Sequence, residues 1–342
     1  MLIQTRSARL KKLKQFKMED MNRKEFIKRL LGTSLMLSTD GFSYILGAAD
    51  ANEAPTADAT DFATFGVVHL NNTDLERAIV FWTKIAGMKL RSVTSEMAEF
   101  GTENRPLVVV HQSAKTPFQD GFSGLYHFAI HLPNKQEFAK SLFRLQENRY
   151  HYSPVDHTMT KSLYLKDPDG ITIEFALETP ELFKRVITSG GLKMEASDGT
   201  IRSASAYLDE NEVLKSLTDK ELNKTIHPDA KIGHVHFYAQ DVSKSNDFYK
   251  KLGFLEFNYL PEYLYADLGA GSAYRHRVAL NSWHGRNRPL APAESAGLRH
   301  YQIVYESAEK LAEYVQNNPG VKKVEGGYKL ADPTGNVLLL TT

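Results

Sequence analysis

The sequence predicts an α+β fold built from four βαβββ modules whose mixed sheets curve into cups. Three observations carry that prediction. An alternating apolar strand, an Asp suited to cap a helix, an amphipathic helix with a Phe–aromatic pair and a closing Gly occur together twice, at Val67–Gly87 and His234–Gly253. Two further stretches lead from a Gly-Leu-x-His strand through a helix to a strand, an Asp-Pro-x-Gly turn and a last strand. The composition, 42% hydrophobic and 24% charged over 342 residues, is that of a globular chain long enough for two domains.

Residues 1–60 stand apart from this pattern. A basic segment, the apolar runs Leu30-Leu31, Leu35-Met36-Leu37 and Tyr44-Ile45-Leu46, and the small residues Ala49-Asp50-Ala51 have the layout of an export signal followed by a linker. The core Arg23-Lys24-Glu25-Phe26-Ile27-Lys28 resembles the twin-arginine type, with Lys24 in place of the second arginine. That resemblance implies an exported, periplasmic protein; read instead as an amphipathic helix or a disordered tail, the segment leaves the chain cytoplasmic. Asp40 interrupts the apolar run, so no stable membrane span is expected.

The modules then follow in order. The first begins Val67-Val68-His69-Leu70, places Asp74 at a cap, and carries Phe81-Trp82 on the helix. The second begins Gly124-Leu125-Tyr126-His127, continues into a helix over 135–148, and ends in Asp167-Pro168-Asp169-Gly170 with Glu174 on its last strand. Pro pre-sets φ in that turn and Gly accepts a positive φ, so the flanking strands fold into a hairpin. The third begins His234-Val235-His236-Phe237, with Asp241 as cap and Phe248-Tyr249 on the helix. The fourth begins Gly297-Leu298-Arg299-His300, has its helix over 307–317, and ends in Asp332-Pro333-Thr334-Gly335 with Leu339 where the second has Glu174. Modules one and two form a first domain at 61–180, and modules three and four a second at 230–342. Residues 181–229 read as a connector with a short helix near Asn211–Leu217. One module cannot close its own sheet; two side by side form a curved sheet with helices outside and a cup inside.

The bulk numbers limit the chemistry. With no cysteines, disulfides, thiolate metal sites and iron–sulfur clusters are excluded, so any metal is held by His and carboxylate. A net charge of +1 gives no electrostatic case for nucleic-acid binding.

Four βαβββ modules in this order resemble the vicinal-oxygen-chelate superfamily, which includes glyoxalase I, bleomycin-resistance proteins and extradiol dioxygenases; the resemblance covers 62–342 and implies two glyoxalase-like domains. In that superfamily metal ligands sit early in a module's first strand and late in its last. Those positions here are Val67 in the first module, His127 and Glu174 in the second, His234 in the third, and His300 and Leu339 in the fourth. The resemblance therefore implies a composite site of His127, Glu174 and His234, which requires the second module to pair with the third. A site of His234, His300 and an unidentified third group is the alternative. Two imidazoles and one carboxylate with open positions suit Fe(II) and oxygen chemistry, and Mn(II) accepts the same set.

The stretch His157…Leu163-Tyr164…Asp167-Pro168-Asp169-Gly170…Glu174 further resembles the signature of extradiol dioxygenases, and the chain as a whole resembles the two-domain catechol-2,3-dioxygenase family. This implies ring cleavage of a small aromatic diol with O2 to a ring-opened semialdehyde. His157 is then an acid–base group behind the metal, or an exposed loop histidine. Tyr164 hydrogen-bonds substrate oxygen or merely packs. His276, in Tyr274-Arg275-His276-Arg277, orients O2, relays a proton, or is structural. His131 and His236 line the cavity or pack, and Tyr126, Phe128, Phe175, Phe237 and Tyr238 line the cup or fill the core. Rival functions are a glyoxalase-like isomerase or lyase, which usually needs a fourth ligand, and a non-catalytic protein that binds small aromatics or antibiotics.

Overall fold

The computed structural model describes residues 59–342 apart from Asn317 and Pro319. The export signal expected within 1–60 lies outside the described residues.

The first module contributes β1 (Ala63–Asn72), α1 (Leu75–Val80), β2 (Lys89–Val93), β3 (Met97–Gly101) and β4 (Pro106–Gln112). Asp74 caps α1 by accepting a hydrogen bond from Arg77 N. A π-helical turn, Phe81–Ile85, extends α1 and turns Phe81, Trp82 and Ile85 inward. The second module supplies β5 (Gly124–His131), α2 (Lys135–Glu147), β6 (Ser153–Asp156), β7 (Thr160–Lys166) and β8 (Thr172–Glu178).

The connector is more structured than a linker with one helix. It forms β9 (Phe183–Ile187), β10 (Lys193–Ala196) and β11 (Ile201–Ser203), a small sheet of its own, then β12 (Ala206–Tyr207) and α3 (Glu210–Leu214). The third module gives β13 (Lys231–Tyr238), α4 (Val242–Lys251), β14 (Leu255–Leu260), β15 (Tyr265–Gly269) and β16 (Val278–Asn281). The fourth gives β17 (Gly297–Tyr305), α5 (Ala308–Gln316), β18 (Lys322–Val324), β19 (Gly327–Ala331) and β20 (Val337–Thr341).

Each large sheet takes one module from each sequence half. The nine-stranded sheet runs β12-β6-β7-β8-β5-β13-β16-β15-β14, joining the second module to the third. The eight-stranded sheet runs β18-β19-β20-β17-β1-β4-β3-β2, joining the fourth to the first. The seams are the antiparallel pairs β5–β13 and β1–β17. The module pairing that the composite site requires is thus present.

Strand alternation sorts the aromatic residues. Phe128 and Phe237 are fully buried on the faces opposite the cups, where Phe128 packs against Trp82 and Phe237 against Tyr249 and Tyr301. Phe175 is likewise core. These three do not line the cup, because adjacent strand positions point to opposite faces. Trp82 also stacks near Phe100, so one apolar core joins the two sheets. Gly87 ends the helical segment with φ +74°, and a Cβ there would meet the buried Arg144 guanidinium at 2.0 Å. Both Asp-Pro-x-Gly turns are closed by their Asp. Asp167 Oδ1 accepts from the N–H groups of Asp169 and Ile171, and Asp332 Oδ1 from those of Thr334, Gly335 and Asn336. This places β8 beside β5 with Glu174 opposite Ala129.

Candidate metal centre

The site forms where β5, β8 and β13 run side by side. His127 comes from β5, Glu174 from β8 and His234 from β13, and all three are buried. Two bulges aim the side chains. His236 lies opposite His127 while Phe237 lies opposite Leu125, which leaves Tyr126 as an extra residue. Ile232 lies opposite Ile130 while His234 lies opposite Ala129, which leaves Gly233 extra on the other strand. A bulge re-aims the side chains beside it, and Tyr126 and His127 accordingly turn their rings to the same region, with centroids 4.8 Å apart.

The facing atoms converge. Glu174 Oε2 is 3.1 Å from His127 Nε2 and 3.0 Å from His234 Nε2, and the two nitrogens are 3.3 Å apart. Yet Glu174 Oε2 makes no aligned hydrogen bond to either ring. A buried carboxylate oxygen without a donor costs about 1–3 kcal/mol. Three ligand atoms that crowd a common point, with the carboxylate oxygen left without a donor, fit a cation that all three share. Among the described residues this is the group of three or more His and carboxylate side chains whose ligand atoms converge.

Burial holds His234 well below the ordinary imidazole value, with His276 and His131 adding to the effect, so the ring is neutral and its nitrogen available. Its other nitrogen, Nδ1, is 2.8 Å from His131 Nε2. Burial also lowers His131, whose Nδ1 is 2.7 Å from Glu178 Oε1.

Two pairs of proton-carrying groups flank the triangle. Beside His127, the Tyr164 ring lies edge-on at 5.3 Å, and its hydroxyl is 3.0 Å from His157 Nε2. His157 Nδ1 faces Ala204 O at 2.7 Å, so Nδ1 donates, and Nε2 of the neutral ring accepts from Tyr164. Burial lowers the His157 value and raises that of Tyr164 well above the phenol range, so Tyr164 keeps its proton. Beside His234, the His276 ring lies edge-on at 4.9 Å. His276 Nδ1 is 2.8 Å from Asp267 Oδ2, an oxygen that also accepts from the Tyr265 hydroxyl at 3.0 Å. Among the described residues His276 Nε2 has no hydrogen-bond partner.

The adjoining wall is aromatic. Tyr126 stacks on Tyr238 at 4.5 Å, Trp283 stacks on Tyr265 at 5.9 Å, and His284 lies 4.6 Å from Tyr238. His236 is enclosed by these rings and accepts from Asn281 Nδ2 at 2.8 Å, so it is a packed group at the margin of the site. The alternative pairing of His234 with His300 is not formed. His300 lies in the other sheet, stacked at 4.0 Å on His69, which pairs with His111. In that sheet Leu339 lies opposite Gln302 as Glu174 lies opposite Ala129, with the apolar Leu where the carboxylate would stand.

Comparison with known proteins supports the fold. Residues 64–175 match the family described as the Glyoxalase/Bleomycin resistance protein/Dioxygenase superfamily. It is 27% identical over 284 residues to the catechol-2,3-dioxygenase of Bacillus subtilis (strain 168), a match covering 80% of this chain and 95% of that protein. Among solved structures, a candidate dioxygenase from Bacillus subtilis subsp. subtilis strain 168 shares the fold with a TM-score of 0.52 at 13% identity, over 81% of this chain and 84% of that one. Fold, relative and the His/Glu group together support a metalloenzyme of this superfamily. No helix among the described residues is long and apolar enough to cross a membrane.

Sequence reasoning named the ligand candidates and both flanking histidines. It did not find Asp267, Tyr265, Glu178 or Gly233. Asp267 and Tyr265 alternate on β15 toward His276, but a lone Asp in a strand carries no signal until its partner is known. Glu178 lies four residues beyond Glu174 on β8 and so faces the same side, a spacing that could have revealed it.

Proposed function

We propose that the protein is an extradiol ring-cleaving dioxygenase that opens a small catechol-type diol with O2, using Fe(II) held by His127, Glu174 and His234. The observation that carries this reading is the placement of two proton-carrying pairs, Tyr164–His157 beside His127 and Asp267–His276 beside His234, on either side of the triad. Bound Fe(II) would supply the electron exchange between diol and O2.

The chain's own groups would do the rest. One carboxylate against a divalent ion leaves a net positive site, which favours an anionic oxygen ligand over a neutral one. His276 Nε2 takes the proton of a diol hydroxyl, and the Asp267 carboxylate on its far nitrogen stabilises the charged ring. His157 Nε2, held in place by Ala204 O through Nδ1, takes or returns a proton in concert with the Tyr164 hydroxyl. Tyr126, Tyr238 and Trp283 offer flat apolar faces for the aromatic ring and limit water around it. The relative's name and the His157-to-Glu174 signature support the same chemistry.

The test is anaerobic loading with Fe(II) followed by catechol and O2. The expected result is stoichiometric O2 uptake with a yellow ring-opened product, and its loss in Glu174→Gln. Iron bound at the triad without O2 uptake across a panel of substituted catechols would reject the reading.

A further inference from the structure

Behind the triad lies a line of polar groups that the proposed chemistry does not use. His234 turns Nδ1 to His131 Nε2 at 2.8 Å, and His131 Nδ1 meets Glu178 Oε1 at 2.7 Å. The same oxygen accepts from Arg277 Nη1 at 2.6 Å. Arg277 is fixed in turn by Asp61 Oδ2 at 2.9 Å and by the Gly233 carbonyl at 3.1 Å. Four of these groups come from different strands, β8, β5, β13 and the approach to β16, and Asp61 precedes β1.

The far end fixes the direction of the first bond, and for a neutral His131 ring that of the second as well. A guanidinium only donates and a carboxylate only accepts. His131 Nδ1 therefore carries a hydrogen toward Glu178, and Nε2 of the neutral ring is an acceptor. His234 Nδ1 must then carry the hydrogen, which leaves His234 Nε2 as a bare lone pair aimed at the triangle with Glu174 and His127. The backbone is shaped for this contact. Gly233 is the extra residue of the β13 bulge, and a Cβ on it would lie 2.0 Å from His131 Cγ. Its φ is not positive, so the requirement is space for the His131 ring, not backbone freedom.

We propose that Arg277, Glu178 and His131 form a positioning chain that locks His234 in the Nδ1–H tautomer with Nε2 presented to the metal, and that Gly233 is the residue that admits His131 to it. The inference rests on His127, Glu174 and His234 being the metal site. His131, Glu178 and Arg277 are positioning residues: they act on the metal only through His234. Partners of this kind typically contribute about 10–100-fold to metal affinity.

The experiment compares wild type with His131→Leu, His131→Gln and Gly233→Ala, reading the Co(II) dissociation constant by chelator competition and the melting temperature of each metal-free protein. Leucine approximates the volume but accepts no hydrogen bond. A glutamine amide can accept from His234 Nδ1–H through its oxygen and donate to Glu178. His131→Leu and Gly233→Ala are expected to weaken Co(II) binding by about 10–100-fold, and His131→Gln to recover most of the loss at a similar metal-free melting temperature. Leucine and glutamine variants that fall equally, or a leucine variant that binds as wild type while Glu174→Gln does not, would overturn the chain and leave the metal site standing. Wild type that takes up no Co(II) would overturn the metal site and the chain with it. Should the variants fail to fold, long-range 1H–15N correlation on wild type reads the His234 tautomer directly. A hydrogen on Nδ1 is expected, and a hydrogen on Nε2 in the metal-free protein would overturn the proposal.

Discussion

Replacing Glu174 with glutamine keeps the shape of the side chain and removes its charge, so its effect on stability should reverse when metal is added. Without metal, the wild-type site buries a carboxylate oxygen that has no aligned donor. An unsatisfied buried polar group costs about 1–3 kcal/mol. The amide removes the charge and can donate to a bare imidazole nitrogen, so the metal-free variant should be the more stable protein by about that amount. With free metal at about 1,000 times the dissociation constant, wild type gains about 4 kcal/mol. Removing one partner of a buried charge pair costs about 3–5 kcal/mol, which would weaken metal binding by about a hundredfold or more. At the same free metal the variant then gains only about 0.1–1.2 kcal/mol. Over residues 59–342, the usual unfolding entropy of about 2.1 cal/mol/K per residue sums to ~0.6 kcal/mol/K. Wild type should therefore melt about 2–5 °C below Glu174→Gln in chelator, gain about 7 °C on metal addition, and finish above a variant that gains about 2 °C or less. Calorimetry in chelator and in anaerobic Fe(II) or Co(II) checks this. Equal metal-induced shifts in the two proteins would refute the argument, because Glu174 would then contribute nothing to the bound state.

Two other outcomes follow from groups around the site. Burial pushes Asp167 up to about 6, from an ordinary value of 3.8, even though it accepts from Asn72 and two backbone N–H groups. An acid whose folded-state value lies above its unfolded one gives stability that is present in acid and lost as pH rises through the folded value. Wild type should lose up to about 3 kcal/mol relative to Asp167→Asn between about pH 4 and 8; a difference in denaturation midpoint that does not change with pH would contradict this. His157→Phe should leave metal affinity within about threefold of wild type while lowering kcat by about 10²–10⁴-fold; a variant that changes KM alone would place His157 outside the proton transfers.

Much of the fold was legible because the modules repeat. Asp74 and Asp241 cap their helices as their positions imply, and Gly87 and Gly253 take positive φ at the helix ends. The two Asp-Pro-x-Gly turns align Glu174 with Leu339 through the same register, which is why a missing carboxylate in one module could be read from the sequence. What the repeat does not encode is its exceptions. Phe81–Ile85 leaves the α-helical path, the bulges at Tyr126 and Gly233 shift the cup-facing set by one residue, and 181–229 folds into strands. Bulges arise from the pairing of β5 with β13, more than a hundred residues apart, so local pattern carries no trace of them. The same holds for the Glu178–His131–His234 line. Each residue is an ordinary strand position by itself, and only the seam between modules makes them neighbours.

The central claim is that one metal ion is held between the second and third modules by His127, Glu174 and His234. Anomalous diffraction at the iron edge, on crystals grown anaerobically from Fe(II)-loaded protein, tests it directly. The account predicts one strong peak within bonding distance of His127 Nε2, Glu174 Oε2 and His234 Nε2, and none beside His69, His111 and His300. Full iron occupancy with the peak elsewhere, or with His276 in place of any one of the three, would contradict it.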